Sequence, residues 1–230
     1  MRSSPTLLFD LDGTLADTAP DLCHTMNVLL ARHGRPAVPE ARVRHMVGGG
    51  ARKIMERGFD ETGAPASPAL LDQLFDEFIA HYGANIALHS RVWPGLLPHL
   101  ERFHANGVKM GVCTNKVEDL SRKLLAALNI ADYFPVVIGG DTLAVKKPDP
   151  AHLLEAIRRL GGEAASTVMI GDSAPDIEAA TAAGLPSICV SFGYTRTPPQ
   201  ELGATILIDH FDELPAALAR LLPAHFERLA

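Results

Sequence analysis

Two aspartates separated by one residue follow a short apolar run near the start of the chain. The run Leu7-Leu8-Phe9 leads directly into Asp10-Leu11-Asp12-Gly13-Thr14. Side chains at positions i and i+2 of an extended segment point the same way, and Gly13 lets the backbone turn close beneath them. The pair is therefore a candidate for a functional site at the carboxyl end of a strand. The alternative is that Asp12-Gly13 is only a turn and Asp10 a cap.

A second acidic pair follows another apolar run, Val168-Met169-Ile170, in the sequence Gly171-Asp172-Ser173-Ala174-Pro175-Asp176. If both runs are strands of one parallel sheet, three or four carboxylates converge at one edge of it. Such a cluster is unfavourable without a cation, and Mg²⁺ prefers carboxylate, carbonyl and water oxygens. The alternative, that Asp172 and Asp176 cap a following helix, explains one acid and not both.

Two further segments carry groups suited to a phosphate. Thr114-Asn115 follows an apolar run and offers a hydroxyl, an amide and backbone N–H groups, and Lys146-Lys147-Pro148 supplies positive charge in a stiffened loop. Each is weak alone, because polar residues after strands often cap helices and paired lysines are often solvated.

These segments are positioned by an alternation of short apolar runs and helical stretches, which favours an α/β fold with a Rossmann-like, doubly wound parallel sheet. The predicted strands are Thr6 to Phe9, Val108 to Cys113, Val136 to Ile138, Thr167 to Ile170, Ser187 to Ser191 and Thr205 to Ile208. The intervening helices are predicted over Glu118 to Leu128, Ala151 to Leu160 and Asp176 to Ala183.

About ninety residues separate the first two predicted strands, far more than a crossover needs. Within this interval Leu22, Met26, Leu29 and Leu30 share one helical face, and a broader apolar stripe follows Ser67-Pro68. We therefore expect an inserted, mainly helical cap domain at residues 16–86, and a core domain made of residues 1–15 and 87–230.

The amino-acid composition limits which classes of partner and which cellular compartment we expect. The 230 residues carry a formal net charge of −6, which disfavours nucleic acid and anionic lipid as partners. No apolar run approaches the length of a membrane span, and the three cysteines form no CxxC pair. We expect a soluble cytoplasmic protein, a monomer or a homodimer, whose partner is a small molecule.

The order of the motifs DxDGT, TN, KP and GDxxxD, each near the end of a predicted strand, resembles the haloacid dehalogenase superfamily. The insertion between the first two motifs is similar to the helical cap of the first type in that superfamily. The resemblance spans Asp10 to Asp176. It implies phosphoryl transfer, with Asp10 as the nucleophile and Asp12 as the general acid and then the general base.

The same resemblance implies the ligands. Mg²⁺ would bind the Asp10 carboxylate, the Asp12 backbone carbonyl and Asp172. Thr114, Asn115 and Lys147 would bind the phosphoryl oxygens, with Lys147 preferred over Lys146 because it directly precedes the proline. Asp176 is assigned to orienting a metal-bound water or Lys147.

Within the superfamily, Asp12 favours phosphate ester hydrolysis over carbon–halogen or phosphonate cleavage. The stretches Ile138-Gly139-Gly140-Asp141 and Ser191-Phe192-Gly193-Tyr194 are similar to bacterial phosphoglycolate phosphatases. The resemblance thus implies a small phosphorylated metabolite as substrate, 2-phosphoglycolate first. The alternatives are a sugar-phosphate or amino-sugar-phosphate phosphatase, a pyrophosphatase, a phosphomutase, or a regulatory protein without turnover.

A glycine turn in the predicted cap, Val47-Gly48-Gly49-Gly50, precedes Arg52 and Lys53. In capped relatives this loop contacts the leaving group, so Arg52, with Lys53 as the second choice, is the candidate for binding a substrate carboxylate. The alternative is that the glycines only join two helices and Arg52 is solvated.

Overall fold

The computed structural model describes residues 4–226 and has at its centre a six-stranded, all-parallel sheet. The strands of the chain are β1 Thr6–Phe9, β2 Ala16–Asp17, β3 Arg91–Val92, β4 Lys109–Cys113, β5 Val136–Ile138, β6 Thr167–Gly171, β7 Ser187–Val190 and β8 Ile206–Ile208. The sheet order is β5-β4-β1-β6-β7-β8, while β2 and β3 form a separate antiparallel pair. The doubly wound α/β fold is thus confirmed.

Helices make up much of the rest of the described chain. They are α1 Ala19–Arg32, α2 Glu40–Arg44, α3 Ala51–Thr62, α4 Pro68–Ala84, α5 Leu96–Ala105, α6 Glu118–Ala127, α7 Ala151–Leu160, α8 Ala174–Ala182, α9 Leu214–Leu221 and α10 Pro223–Phe226. Leu7 and Phe9 of β1 pack on the side of α5, α6 and α9, whereas Leu8 packs with α7 and α8. A strand buried on both faces reads as a continuous apolar run, which is why β1 is visible in the sequence.

The chain runs outward from β1 in both directions, to β4 and β5 on one side and to β6, β7 and β8 on the other. This reversal of strand order at β1 makes a crevice at the carboxyl ends of β1, β4 and β6. Ligands of open α/β sheets bind at such crevices. Of the candidate residues, the four aspartates, Thr114 and Asn115 follow these three strands, whereas Lys147 follows β5 and Arg52 lies in α3.

Helices α1 to α4 lie between β2 and β3 in the chain and form most of a second hydrophobic cluster, to which Leu120 of α6 and Tyr194 also belong. Met26, Leu29 and Leu30 of α1 pack there with Leu74 and Phe78 of α4. The helical content of the predicted insertion is as expected, and the division at residues 16–86 stays a prediction. Among residues 4–226, no helix is both long and apolar enough to cross a bilayer.

Candidate active site

Asp10 is the first residue after β1, at the carboxyl end of the central strand. Its backbone N–H donates to the Ile170 carbonyl at 2.9 Å, which continues the pairing with β6 by one residue. Its carboxylate Oδ1 lies 2.9 Å from Nζ of Lys147, and both side chains are almost fully buried. Lys147 Nζ also donates to Asp176 Oδ1 at 2.5 Å and to the Cys113 carbonyl at 2.6 Å.

Burial and the oppositely charged neighbours act in opposite directions on the pKa of Asp10, and they do so on the pKa of Lys147 as well. Burial raises the pKa of Asp10 to about 6, with the Lys147 ammonium acting against the shift and the nearby Asp176 and Asp12 carboxylates adding to it. Burial alone would lower the pKa of Lys147, but the carboxylates of Asp10 and Asp176 outweigh it and hold that pKa above its ordinary value. Lys147 is therefore a fixed positive charge beside Asp10.

Asp172 and Asp176 lie where β6 passes into α8. Ser173 and Asp176 form a capping box at the start of α8, and Asp176 Oδ2 accepts from the backbone N–H of Asp172 at 3.2 Å. Asp172 Oδ1 accepts from the Thr14 hydroxyl at 2.9 Å, and its Oδ2 accepts from the Tyr194 N–H at 2.6 Å. The pKa of Asp172 is raised well above its usual range by burial and by the charges of Asp176 and Asp10.

The donor set fits a divalent cation. Oxygen atoms of Asp10, Asp172 and Asp176 all lie within 4.8 Å of one another, and the three residues are buried. With Asp12 the edge carries four carboxylates, which Lys147 and Lys116 neutralise only by half. A hard divalent ion supplies the charge that is lacking and prefers these oxygens. Asp176 has the most other partners of the three, since its Oδ1 accepts from the Lys147 ammonium and its Oδ2 accepts from the Asp172 N–H, the Ser173 N–H and the Ser173 hydroxyl. Asp10 and Asp172 are therefore the better candidate ligands.

Asp12 faces a lysine that the sequence analysis left without a role. Its Oδ1 accepts from Lys116 Nζ at 2.9 Å and from the Thr18 hydroxyl at 2.7 Å, and its Oδ2 lies 3.1 Å from the same Nζ. Lys116 also donates to the hydroxyl of Tyr82 at 3.1 Å. Burial would lower the pKa of Lys116, but Asp12 and Tyr82 raise it above its ordinary value.

Thr114 and Asn115 follow β4, as expected, and contact the loops beside them. The Thr114 hydroxyl accepts from the Lys116 N–H at 3.2 Å. The Asn115 amide donates at 3.1 Å to the carbonyls of both Lys147 and Gly48. The second of these contacts joins the loop after β4 to the glycine turn before α3.

A cavity of about 430 Å³ opens between the sheet edge and the helical insertion. Its sheet side includes Asp10, Asp12, Thr114, Asn115 and Lys116, and its other side includes the apolar residues Phe75, Phe78 and Ile79 of α4. Arg52 also lines the cavity, from the first turn of α3, but its guanidinium pairs with the exposed Asp72 of α4. Lys53 pairs instead with Glu56 at 2.6 Å.

The structure thus brings most of the sequence candidates to one edge of the sheet. They are Asp10, Asp12, Thr114, Asn115, Lys147, Asp172 and Asp176. Arg52 stands apart from this group, at the rim formed by the insertion. Sequence analysis missed the contacts of Thr14, Tyr82, Lys116 and Tyr194. Lys116 could have been identified from the sequence, because it directly follows Thr114-Asn115. Tyr82 could not, because in the sequence it is one of several residues in an apolar helical stripe.

Comparison with known families supports the geometry. A family model described as haloacid dehalogenase-like hydrolase matches residues 7–190. The phosphoglycolate phosphatase of Caulobacter vibrioides is 44% identical over 217 residues, which cover 94% of this chain and 92% of that protein. The phosphoglycolate phosphatase of Mesorhizobium japonicum is 43% identical over 220 residues, covering 96% and 97%.

Solved structures show the same fold. The crystal structure of a predicted phosphoglycolate phosphatase from Haemophilus somnus matches with a TM-score of 0.87 at 28% identity, covering 94% of this chain and 99% of that chain. CbbY from Rhodobacter sphaeroides, solved in complex with xylulose-(1,5)bisphosphate, matches with a TM-score of 0.77 at 26% identity, covering 92% and 96%.

Proposed function

The chain belongs to the haloacid dehalogenase-like hydrolase family, and from that membership we propose that it is an Mg²⁺-dependent phosphatase that hydrolyses 2-phosphoglycolate to glycolate and phosphate. The observation that carries the proposal is the buried contact of Asp10 with Lys147, which places a carboxylate and a fixed cation at the floor of the crevice. A carboxylate nucleophile needs such a cation to approach an anionic ester. The substrate is inferred from relatives that share 38% identity or more.

The proposed reaction has two steps. In the first, an Asp10 oxygen attacks phosphorus, the bond between phosphorus and the ester oxygen breaks, and Asp12 gives its proton to the departing alkoxide. In the second, a water attacks phosphorus of the aspartyl phosphate, Asp12 accepts the water proton, and Asp10 is released. The position of Asp12, two residues after the nucleophile, allows one side chain to act in both steps.

Lys147, Thr114 and Asn115 are proposed to bind the phosphoryl oxygens. The Lys147 ammonium is well suited to this, since Asp176 and the Cys113 carbonyl fix its position. The divalent ion, held by Asp10, Asp172 and the Asp12 carbonyl, would neutralise charge on the phosphoryl group as it transfers. Arg52 remains the sequence candidate for contacting the leaving group from the rim of the cavity.

A sugar phosphate is the second candidate substrate. The cavity of about 430 Å³ is larger than a two-carbon acid requires, and a D10N mutant of CbbY was solved in complex with xylulose-(1,5)bisphosphate. A phosphomutase, a pyrophosphatase or an amino-sugar phosphatase has no specific observation in its favour here.

We also propose where the protein is located and how it is assembled. Cys23, Cys113 and Cys189 are buried free thiols. Free thiols are typical of proteins that stay in a reducing compartment, which supports the cytoplasm. A monomer or homodimer, with a core at residues 1–15 and 87–230 and a cap at 16–86, remains our prediction.

The test is phosphate release over a panel of esters in the presence and absence of Mg²⁺. We expect kcat/KM to be highest for 2-phosphoglycolate, ahead of sugar phosphates, nucleotides and pyrophosphate, and to require the metal. A higher kcat/KM for a sugar phosphate would be consistent with the proposed phosphatase activity but would contradict 2-phosphoglycolate as the substrate. Absence of turnover on every ester would contradict the proposal.

Asp10→Asn tests the nucleophile. The change removes the charge and nucleophilicity with almost no change in shape, so we expect kcat to fall by a factor on the order of 10⁴ or more while the circular dichroism spectrum is retained. The same substitution at the exposed Asp132 is the control and should leave kcat unchanged. Activity of Asp10→Asn close to the wild-type value would refute the aspartyl-phosphate route.

A further inference from the structure

Lys116 is a buried cation that no step of the proposed reaction uses. It is only 8% exposed, although it lines the cavity. Its Nζ contacts both oxygens of Asp12 and the Tyr82 hydroxyl, and it lies 4.3 Å from the centre of the Tyr82 ring. Asp12 comes from the sheet edge and Tyr82 from α4, so the ammonium lies at the contact between core and insertion.

The partner of Lys116 has another task in the reaction. As proposed above, Asp12 must hydrogen-bond to the ester oxygen that leaves. A carboxyl group that turns to this oxygen gives up part of its contact with Lys116. A buried ammonium that loses its anionic partner is costly, because neither water nor another charge replaces the interaction. A second anion in the substrate would remove that cost.

We propose that Lys116 is the specificity-determining residue that binds the carboxylate of the leaving group, in exchange for its contact with Asp12. The inference rests on the proposed phosphatase function and deepens it. Because the Asp12 side chain reaches Lys116 and, in the proposed reaction, the ester oxygen, these two lie close together. A carboxylate that binds Lys116 must therefore be only a few bonds from the ester oxygen. A two-carbon acid such as glycolate has this spacing between its hydroxyl oxygen and its carboxylate.

The other cations at the cavity are less suited to this selection. The Arg52 side chain is 45% exposed and pairs with Asp72, and the exposed Lys146 reaches the Gly49 carbonyl at 3.4 Å. An ion pair in contact with solvent adds little to affinity. Lys116 is shielded by the Tyr82 ring, so its pairing with a carboxylate discriminates more strongly against substrates without one.

The experiment compares two esters that differ only in the charged group. These are 2-phosphoglycolate and ethyl phosphate, in which a methyl group replaces the carboxylate. In Lys116→Met we expect kcat/KM for 2-phosphoglycolate to fall at least about thirtyfold, mainly through a higher KM. The value for ethyl phosphate should change far less, so the ratio of the two should fall at least about tenfold.

Lys123→Met is the matched control, because Lys123 on α6 is exposed and, among the described residues, its ion pair is with Asp119 of the same helix at 2.8 Å. Its ratio should equal that of the wild type. An equal loss on both esters in Lys116→Met would show that Lys116 only positions Asp12 and would overturn the inference. The inference would also be overturned if Arg52→Met lowered the ratio of kcat/KM for 2-phosphoglycolate to kcat/KM for ethyl phosphate and Lys116→Met left that ratio unchanged.

Two further arms keep the outcomes distinct. A wild-type enzyme that releases phosphate without preferring 2-phosphoglycolate over ethyl phosphate contradicts the proposed substrate, and with it this inference. If thermal melting shows that Lys116→Met does not fold, Lys116→Gln and Lys116→Arg replace it. We then expect the preference to be lost in the first and kept in the second, and the reverse pattern overturns the inference.

Discussion

At the scale of single residues, the four acids differ in their partners more than in their burial. Asp10 and Asp176 both pair with the ammonium of Lys147. Asp12 pairs with the ammonium of Lys116. Within residues 4–226, no lysine pairs with Asp172, which accepts from the Thr14 hydroxyl and the Tyr194 N–H. It is therefore the carboxylate most dependent on an added cation.

Asp172→Asn should separate metal binding from folding. Because the pKa values of Asp10 and Asp172 are raised in the fold, the metal-free folded state binds protons more tightly than the unfolded state. Its free energy of unfolding should rise as pH falls from 7 through about 6, the pKa of Asp10. Removing one of the buried charges should raise the metal-free Tm at pH 7 and abolish the increase that Mg²⁺ causes.

Thermal melting with and without Mg²⁺ measures this effect. For the wild type, Mg²⁺ at one hundred times its Kd should add about 2.7 kcal/mol to the free energy of unfolding. The exposed Asp132→Asn should behave as the wild type does. A wild-type-sized Mg²⁺ response in Asp172→Asn would show that the ion binds elsewhere.

The acids could be predicted from the sequence because each follows an apolar run, and parallel strands end at one edge. The contact of Lys116 with Tyr82 could not, because it joins residues 34 positions apart across two packed units. The ion-pair partner of Arg52 could not be predicted from the sequence either. Its ion pair with Asp72 depends on how α3 and α4 pack, which periodicity does not specify.

At the scale of elements, the loop after β7 joins three parts of the site. Tyr194 donates its backbone N–H to Asp172, and its hydroxyl accepts from the N–H groups of Thr18 at 2.7 Å and Ala19 at 3.0 Å. The same hydroxyl donates to Asp17 of β2. The loop thereby connects the predicted metal ligand to the start of α1.

Tyr194→Phe removes the hydroxyl and keeps the ring and the backbone contact with Asp172. Two N–H groups at the start of α1 then lose their acceptor in a buried place, which should lower the free energy of unfolding by about 1–3 kcal/mol. Urea unfolding measures the change. Tyr133→Phe, on the half-buried Tyr133, is the control and should stay within about 0.5 kcal/mol of the wild type. Equal stability of both variants would contradict the role of the hydroxyl.

The six strands of the main sheet were predictable because each is a short apolar run, and the inner strands β1, β6 and β7 are buried on both faces. The pair β2 and β3 was missed, since two residues per strand are too few to show a pattern. Helix α5 was missed although its apolar face is clear in the structure. Its Pro98 lies in the first turn, where a missing N–H costs little, but reads in the sequence as a helix breaker.

At the scale of the whole molecule, the reactivity of the three buried thiols reports on how tightly the protein interior is packed. Burial raises the pKa of Cys113 and of Cys189 to about 12, and it also raises that of Cys23. Because the thiolate is the reactive form, we expect native protein to react very slowly with a disulfide reagent at pH 8. Cys23, which is 9% exposed, should react before the other two.

Counting the released thiolate chromophore in native buffer and in urea checks this expectation. Three thiols should react at once in urea, since the sequence has three cysteines. Fast native reaction of Cys113 or Cys189, identified by mass spectrometry, would show that the sheet edge opens far more than its burial allows.

The central position of β1 also affects the order in which the protein can assemble during synthesis. Thr6 pairs with Lys109 on one side and with Thr167 on the other, so the strand that carries Asp10 leaves the ribosome about a hundred residues before its first partner. Helices α1 to α4 emerge in between and contact mainly one another. The proposed nucleophile is thus translated well before the strands that complete its site.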